Sequence, residues 1–499
     1  MTTASKTVIY SAIAGGLLVS LLLWQPHGRI QSKSQEPLLV YCAAGSKVPV
    51  EAAARAYEKE SGVMVQLQYG GSGMLLSNLR VAGRGDLFMP GDVSYLEMAR
   101  SNGLVAETIP LASMNAVVAV AKGNPKNIRS LADLSRDDVR LALANPEAAS
   151  IGKVVRDTLS PAGQWTALES HAKVFKPTVN DLANDLKIGQ VDAAIVWDAV
   201  AALYPELEAV TLPELEHAQQ NIAIGVLRSS KQPTAALRFA RYLGASDRGL
   251  REFARADCKV VDGDVWAVVP EVVLYSGALN RVAVDDTIRR FEEREGVRVT
   301  RVYNGCGILV AQMKAGQHPD AYLACDVSFM NSVTNLFGPS VEISETDIVI
   351  LTAKTNPKGI NKLADLAQPG LRVGVANARQ STLGDLTEKL LQRAGLLETV
   401  MANAKTQTPT ADLLVNQMRT GALDAVVVYA ANTSKVRDSL EVVRLDQPGS
   451  IAVQPYAVGK NSGHRQLMER LRAAIQSDES RATYEALGFR WRGTNTANQ

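Results

Sequence analysis

Tyr69-Gly70-Gly71-Ser72-Gly73 and, at an offset of 234, Tyr303-Asn304-Gly305-Cys306-Gly307 are the stretches on which the fold turns. The first follows a strand-like run, Val63 to Gln68, in which Val63, Val65 and Leu67 alternate. It precedes a helix-like run, Met74 to Val81, with Leu75, Leu76 and Leu79 on one side. A glycine-rich turn between strand and helix lets backbone N–H groups approach a ligand, and the helix start adds partial positive charge. Ser72 sits near that start with a hydroxyl able to donate to an anion. One Gly/Ser turn is commonly no more than a turn. Its recurrence gives it weight.

The repeat extends well beyond the turn. Val40 to Ala44 matches Leu274 to Ala278, and the same offset holds without a gap for about 55 residues. Val50, Ala54 and Tyr57 match Val284, Ile288 and Phe291, one stripe of a helix packed on a sheet. Asp92-Val93-Ser94 returns as Asp326-Val327-Ser328. At an offset of 232, Leu131 to Leu134 matches Leu363 to Leu366, and Ser150-Ile151-Gly152 matches Thr382-Leu383-Gly384. Pro177-Thr178 matches Pro409-Thr410, and Val191 to Trp197 matches Leu423 to Tyr429. The chain is a tandem duplication, 37–262 and 263–499.

Within each copy, buried apolar runs (Asn115 to Ala121, Arg140 to Ala144, Asp192 to Trp197) alternate with helical stretches (Ser94 to Ser101, Thr178 to Ile188). This predicts α/β modules with largely parallel strands, whose ligands sit at strand carboxyl ends. At 499 residues two or more domains are expected. Lys+Arg number 53 against 51 Asp+Glu, with no basic run, so nothing points to a nucleic-acid partner. Cys42, Cys258, Cys306 and Cys325 make no disulfide framework. Cys42, on the first strand, reads as core.

Val8 to Trp24 carries no charge and follows Lys6. Its 17 residues lie at the lower limit for a spanning helix. It reads as an uncleaved signal anchor, with residues 1–36 as anchor and tether. A cleaved signal peptide is the alternative, but Gln25 to Arg29 offers no small-residue cleavage site. Either way the body lies outside the cytoplasm, on the periplasmic side of the inner membrane if the anchor is kept.

The strand-end loops of the first copy hold Ala44, Gly45 and Ser46, then Gly71 and Ser72, then Ser150 and Ile151, then Trp197 and Asp198. Those of the second hold Ser276 and Gly277, Gly305 and Cys306, Thr382 and Leu383, and Tyr429. No His/Cys/Asp/Glu set has metal-ligand spacing, and no Ser/His/Asp arrangement is present. No cofactor is implied. Such loops fit recognition of a desolvated anion by neutral donors.

Each copy resembles the periplasmic molybdate-binding protein of ABC transporters, within the type II periplasmic binding proteins. The resemblance rests on the strand Val40 to Ser46, the turn Gly70 to Gly73, Gly91-Asp92, the loop Asn145 to Gly152 and the strand end Ile195-Val196-Trp197. It implies two hinged lobes per copy. It further implies a small oxyanion, molybdate or tungstate, held by Ser72, by backbone around Ser150 and Ile151 and by Trp197. In the second copy the matching positions are Cys306, Thr382, Leu383 and Tyr429. The implied partner is an ABC transporter permease, and the membrane is reached through residues 8–24. The chain departs from the pattern at Cys306, where a thiol at a helix start becomes a candidate nucleophile or soft ligand. It departs again at Asp198, a carboxylate that repels an anion and suits a cation. Metal-cation binding, a sensory ectodomain, or an enzyme using Cys306 are therefore the alternatives.

Overall fold

The computed structural model describes residues 36–493. The apolar run 8–24 lies outside them, and among the described residues no helix is long and apolar enough to cross a membrane.

Strands of the first module are β1 (Leu38–Ala43), β2 (Val65–Gly70), β3 (Leu87–Met89), β4 (Val105–Ala121), β5 (Leu141–Ala144), β6 (Val174–Lys176), β7 (Ala193–Trp197), β8 (Leu207–Val210), β9 (Gln219–Leu227) and β10 (Lys259–Val260). Their order is β2-β1-β3-β9-β4-β7-β5-β6, with β8 and β10 also on β4. β1 runs parallel to β2 and β3, and β5 runs parallel to β6 and β7. Antiparallel contacts occur where β4 and β9 enter.

β4 is the spine of the module. Its first part, up to Asn115, pairs with β9, while Ala116 to Ala121 pairs with β7 and β8. One strand therefore serves two lobes, passing from one to the other at Asn115 and Ala116. The sequence reading starts this strand at Asn115. Glu107, Pro110 and Asn115 interrupt the apolar pattern and hide the first half, which register shifts also mark.

The second module repeats the order with β11 (Glu271–Gly277), β12 (Arg298–Asn304), β13 (Ala321–Leu323), β14 (Val341–Ala353), β15 (Val373–Ala376), β16 (Ala404–Thr408), β17 (Ala425–Tyr429), β18 (Leu440–Arg444), β19 (Ile451–Val458) and β20 (Arg490–Trp491). The predicted helix stripe is buried in both copies: Val50, Ala54 and Tyr57, and Val284, Ile288 and Phe291. Each of these helices stops at a glycine with positive φ, Gly62 (73°) and Gly296 (65°), whose N–H closes the last turn. The repeated Asp-Val-Ser is a helix cap, since Asp92 accepts from the Ser94 N–H and Asp326 from that of Ser328. Asp86 and Asp320 tie β1 and β11 from the side by accepting from Leu39 and Val273 N–H.

The modules meet where helix Pro233–Leu243 packs on helix Arg281–Glu295. Glu295 is 1% exposed. Arg470 donates to its carboxylate at 2.7 and 3.2 Å, and Arg241 at 3.0 Å. Burial pushes the Glu295 carboxyl up, but Arg470 and Arg241 outweigh it and hold it below the usual range. Arg294 forks onto Glu107 beside it, at 2.7 and 2.9 Å. Removing one partner of a buried ion network leaves the others uncompensated, at about 3–5 kcal/mol. Glu295→Ala should therefore lower the unfolding free energy by roughly that amount and split the thermal transition in two. A single, unshifted calorimetric peak would contradict this role. The carboxyl is depressed in the folded state, so its contribution is present at neutral pH and lost as pH falls through its folded value.

Candidate functional site

Both clefts are closed. In the first module the turn after β2 docks on the opposite lobe: the Gly73 N–H donates to the Ala148 carbonyl at 2.9 Å. A Cβ at Gly71 would lie 2.3 Å from the Ala148 oxygen, and one at Gly73 would lie 2.0 Å from that of Glu147. The second module repeats the contact, Gly307 N–H to Gln380 carbonyl at 3.1 Å. These glycines thus serve lobe-to-lobe contact.

What remains of the first cleft is a cavity of about 10 Å³, barely the room of one water. Of the predicted residues, Ala44, Gly45, Gly71, Ser72, Ser150, Ile151 and Trp197 line it. Helices Ser72–Ala82, Ser150–Leu159 and Val179–Lys187 all begin at this cavity. Each brings N–H groups without an intrahelical partner and the positive end of its dipole. No charged side chain lines the cavity. The Ser72 oxygen accepts from the Gly91 N–H at 3.0 Å, so its own proton is left to donate. Ser46 is buried with its hydroxyl unpartnered but does not line the cavity.

Asp198 also stands outside the lining. Its carboxylate accepts from Asn115 N–H (3.1 Å), Asn115 Nδ2 (3.0 Å) and Ala199 N–H (2.8 Å). It fastens β7 to Asn115 of β4.

In the second module Gly305, Cys306 and Tyr429 line the cavity, with Cys325, Ser381, Thr410, Asp412 and Asn432. Gly277 lies beside the Cys306 and Cys325 sulfurs, Thr382 lies against the Cys306 sulfur, and Ser276 is buried with its hydroxyl turned to the Gly277 carbonyl. Leu383 is buried and not part of the lining. All four cysteines are free, and Cys42 is fully buried in the core. Cys306 takes over the role of Ser72: its sulfur accepts from the Cys325 N–H at 3.2 Å.

Sequence reasoning missed Gly91, Met114, Thr178 and Val179 in the first cleft, and Cys325, Thr410 and Asp412 in the second. Thr178 and Thr410 could have been found, because Pro-Thr recurs in the duplication at the start of a helix. The positions of Gly91 and Cys325 required knowing that β3 and β13 end beside the turn.

The family profile for bacterial extracellular solute-binding protein matches residues 38–256 and again 272–490. The chain belongs to this family, twice over. A binding protein of Haemophilus influenzae is 30% identical over 217 residues, 43% of this chain and 88% of that one. The molybdate-binding protein ModA of Mycobacterium tuberculosis is 28% identical over 189 residues, 37% of this chain and 70% of that one. Among solved structures, the periplasmic molybdate-binding protein of Azotobacter vinelandii aligns with 44% of this chain and 99% of its own, at 16% identity and a TM-score of 0.39. The chain is thus a tandem type II solute-binding protein that resembles ModA over 189 residues.

Burial pushes the Cys306 thiol up, but the Cys325 thiol and N–H, which donate to its sulfur, and the nearby Thr382 and Tyr322 hydroxyls outweigh it and bring it to about 7. The Cys325 thiol is raised in turn, because it donates to Cys306 and is buried. Thiolate absorbance of the folded protein should rise by one equivalent with a midpoint near pH 7, and Cys306→Ser should remove that step. A first step at the ordinary thiol value of about 8.5 would refute the arrangement. Separately, Gly73→Ala should leave the fold intact but hold the first cleft open, seen as a larger radius by small-angle scattering. An unchanged radius would show that the close approach is dispensable.

Proposed function

We propose that the chain works as two solute-binding modules, 37–262 and 263–499, of which the first captures a small oxyanion of the molybdate or tungstate class for an ABC importer. Residues 1–36 would tether it through 8–24 to the periplasmic side of the inner membrane. The observation that carries the reading is the convergence of three helix starts and the Ser72 hydroxyl on a cavity lined by neutral residues alone. Neutral, preorganised donors suit a desolvated anion. The same lining disfavours a metal cation, since it holds no carboxylate and Asp198, at the end of β7, spends its oxygens on Asn115 and Ala199.

Capture requires opening about β4, entry and reclosure. Contacts made only in the closed form set the affinity. Ser72, the backbone at Gly71, Ser150 and Ile151, and Trp197 are the proposed ligand contacts. Ala44, Gly45 and Ser46 form or support the cavity wall.

Molybdate, tungstate, sulfate and phosphate, added to the full chain at a hundredfold over Kd, should stabilise it by about 2.7 kcal/mol when they bind. That corresponds to a rise in Tm of roughly 5–10 °C. The indole of Trp197 should report the same event by fluorescence, and Trp197→Phe should abolish the change. Ser72→Ala removes a hydrogen bond to a charged ligand and should weaken binding about 10- to 100-fold. If none of the four anions moves Tm or fluorescence while a divalent cation does, the anion reading fails.

A further inference from the structure

The second cleft differs from the first by coupled changes. Where the first module has Ala43 and Gly91, the second has Gly277 and Cys325. A Cβ at Gly277 would lie 2.0 Å from the Cys325 sulfur and 2.8 Å from the Cys306 sulfur. Two thiols therefore converge on a space that only glycine leaves open. Around them stand three hydroxyls with no hydrogen-bond partner: Thr382, Tyr322 and Tyr429, each 3% exposed or less. Thr382 and Tyr322 face the Cys306 sulfur without completing a hydrogen bond to it. Tyr429 lines the same cavity. At the rim, exposed Asp412 replaces Asn180 of the first module.

We propose that the second module binds an uncharged, thiophilic oxyacid of the arsenite class through Cys306 and Cys325, with the buried hydroxyls holding its remaining oxygen. This rests on the reading of the clefts as solute sites and gives the two clefts different cargo. A carboxylate and an acidic thiol at one cleft disfavour an oxyanion, whereas an uncharged oxyacid meets no such repulsion. Buried, unpartnered hydroxyls ask for an acceptor, which a bare soft cation lacks and an oxyacid supplies. The step is a condensation without electron transfer. Two S–H and two As–O bonds break, two As–S bonds form, and two waters leave. Arsenic stays trivalent and keeps one hydroxyl.

The test uses the full chain, reduced, mixed with sodium arsenite and desalted, with arsenic per chain measured by plasma mass spectrometry. The expected result is one arsenic per chain. Cys306→Ser should lose it at least tenfold. So should Gly277→Ala combined with Cys325→Gly, which rebuilds the pairing of the first module and so keeps a packing the fold already uses. Cys42→Ser and Cys258→Ser should retain it. Arsenic absent from the parent protein, or retained equally by both cleft variants, overturns the proposal. So does silver(I) being held one per chain where arsenite is not. Melting of the same samples with molybdate separates this from the first-module reading. A molybdate shift that Ser72→Ala abolishes, without arsenic retention, sinks the thiol site alone. Arsenic retention without any anion shift supports the thiol site and sinks the oxyanion reading.

Discussion

The contact between lobes, backbone on backbone, is the constraint from which the rest follows. Gly73 N–H meets the Ala148 carbonyl, and Gly307 N–H meets that of Gln380. No side chain fits between these surfaces, because a Cβ at Gly71 or Gly73 would overlap a carbonyl oxygen of the other lobe. The approach brings the starts of helices Ser72–Ala82 and Ser150–Leu159 to one point, although they belong to different lobes. Strand β4, paired with β9 in one lobe and with β7 in the other, holds the lobes in that relation. Asp198 pins β7 to Asn115, at the place where β4 passes from one lobe to the other. Closure and the convergence of the helix starts are thus one property of the backbone.

With the backbone frame kept in both copies, the two clefts differ in a few side chains. Ser72 and Cys306 occupy the same place and accept an N–H from the same neighbouring position, Gly91 in one module and Cys325 in the other. Exchanging oxygen for sulfur there costs little in structure, because the acceptor role survives. It changes the chemistry fully, since sulfur is a weak hydrogen-bond partner and a soft ligand. The second sulfur required a compensating loss of a methyl group, from Ala43 to Gly277. Close packing makes such changes come in pairs.

The modules are joined more firmly than two beads on a tether. Glu295, at the end of the first helix of the second module, is buried between Arg241 of the first module and Arg470 of the second. A buried carboxylate tolerates this only with both arginines in place. The joint lies on helices, away from both cavity linings.

The sequence by itself determined the duplication, the α/β class and the helix faces, because these are local or periodic properties. Val50, Ala54 and Tyr57 lie on one stripe whatever they pack against. It also marked the turn at Gly70 to Gly73, the loop at Ser150 and the strand end at Trp197 as belonging to one cleft. Only the tertiary structure decided what each residue does there. Asp198 read as a possible cation ligand because its local setting is a strand end, and Asn115, 83 positions away, claims its carboxylate. The first half of β4 was hidden by Glu107, Pro110 and Asn115, since a hinge strand shared by two lobes has no single buried face. Cys306 and Cys325 lie 19 positions apart. Their convergence depends on β11 lying between β12 and β13 and on the missing side chain of Gly277. Contacts of this kind are set by strand order and close approach, which no local pattern records.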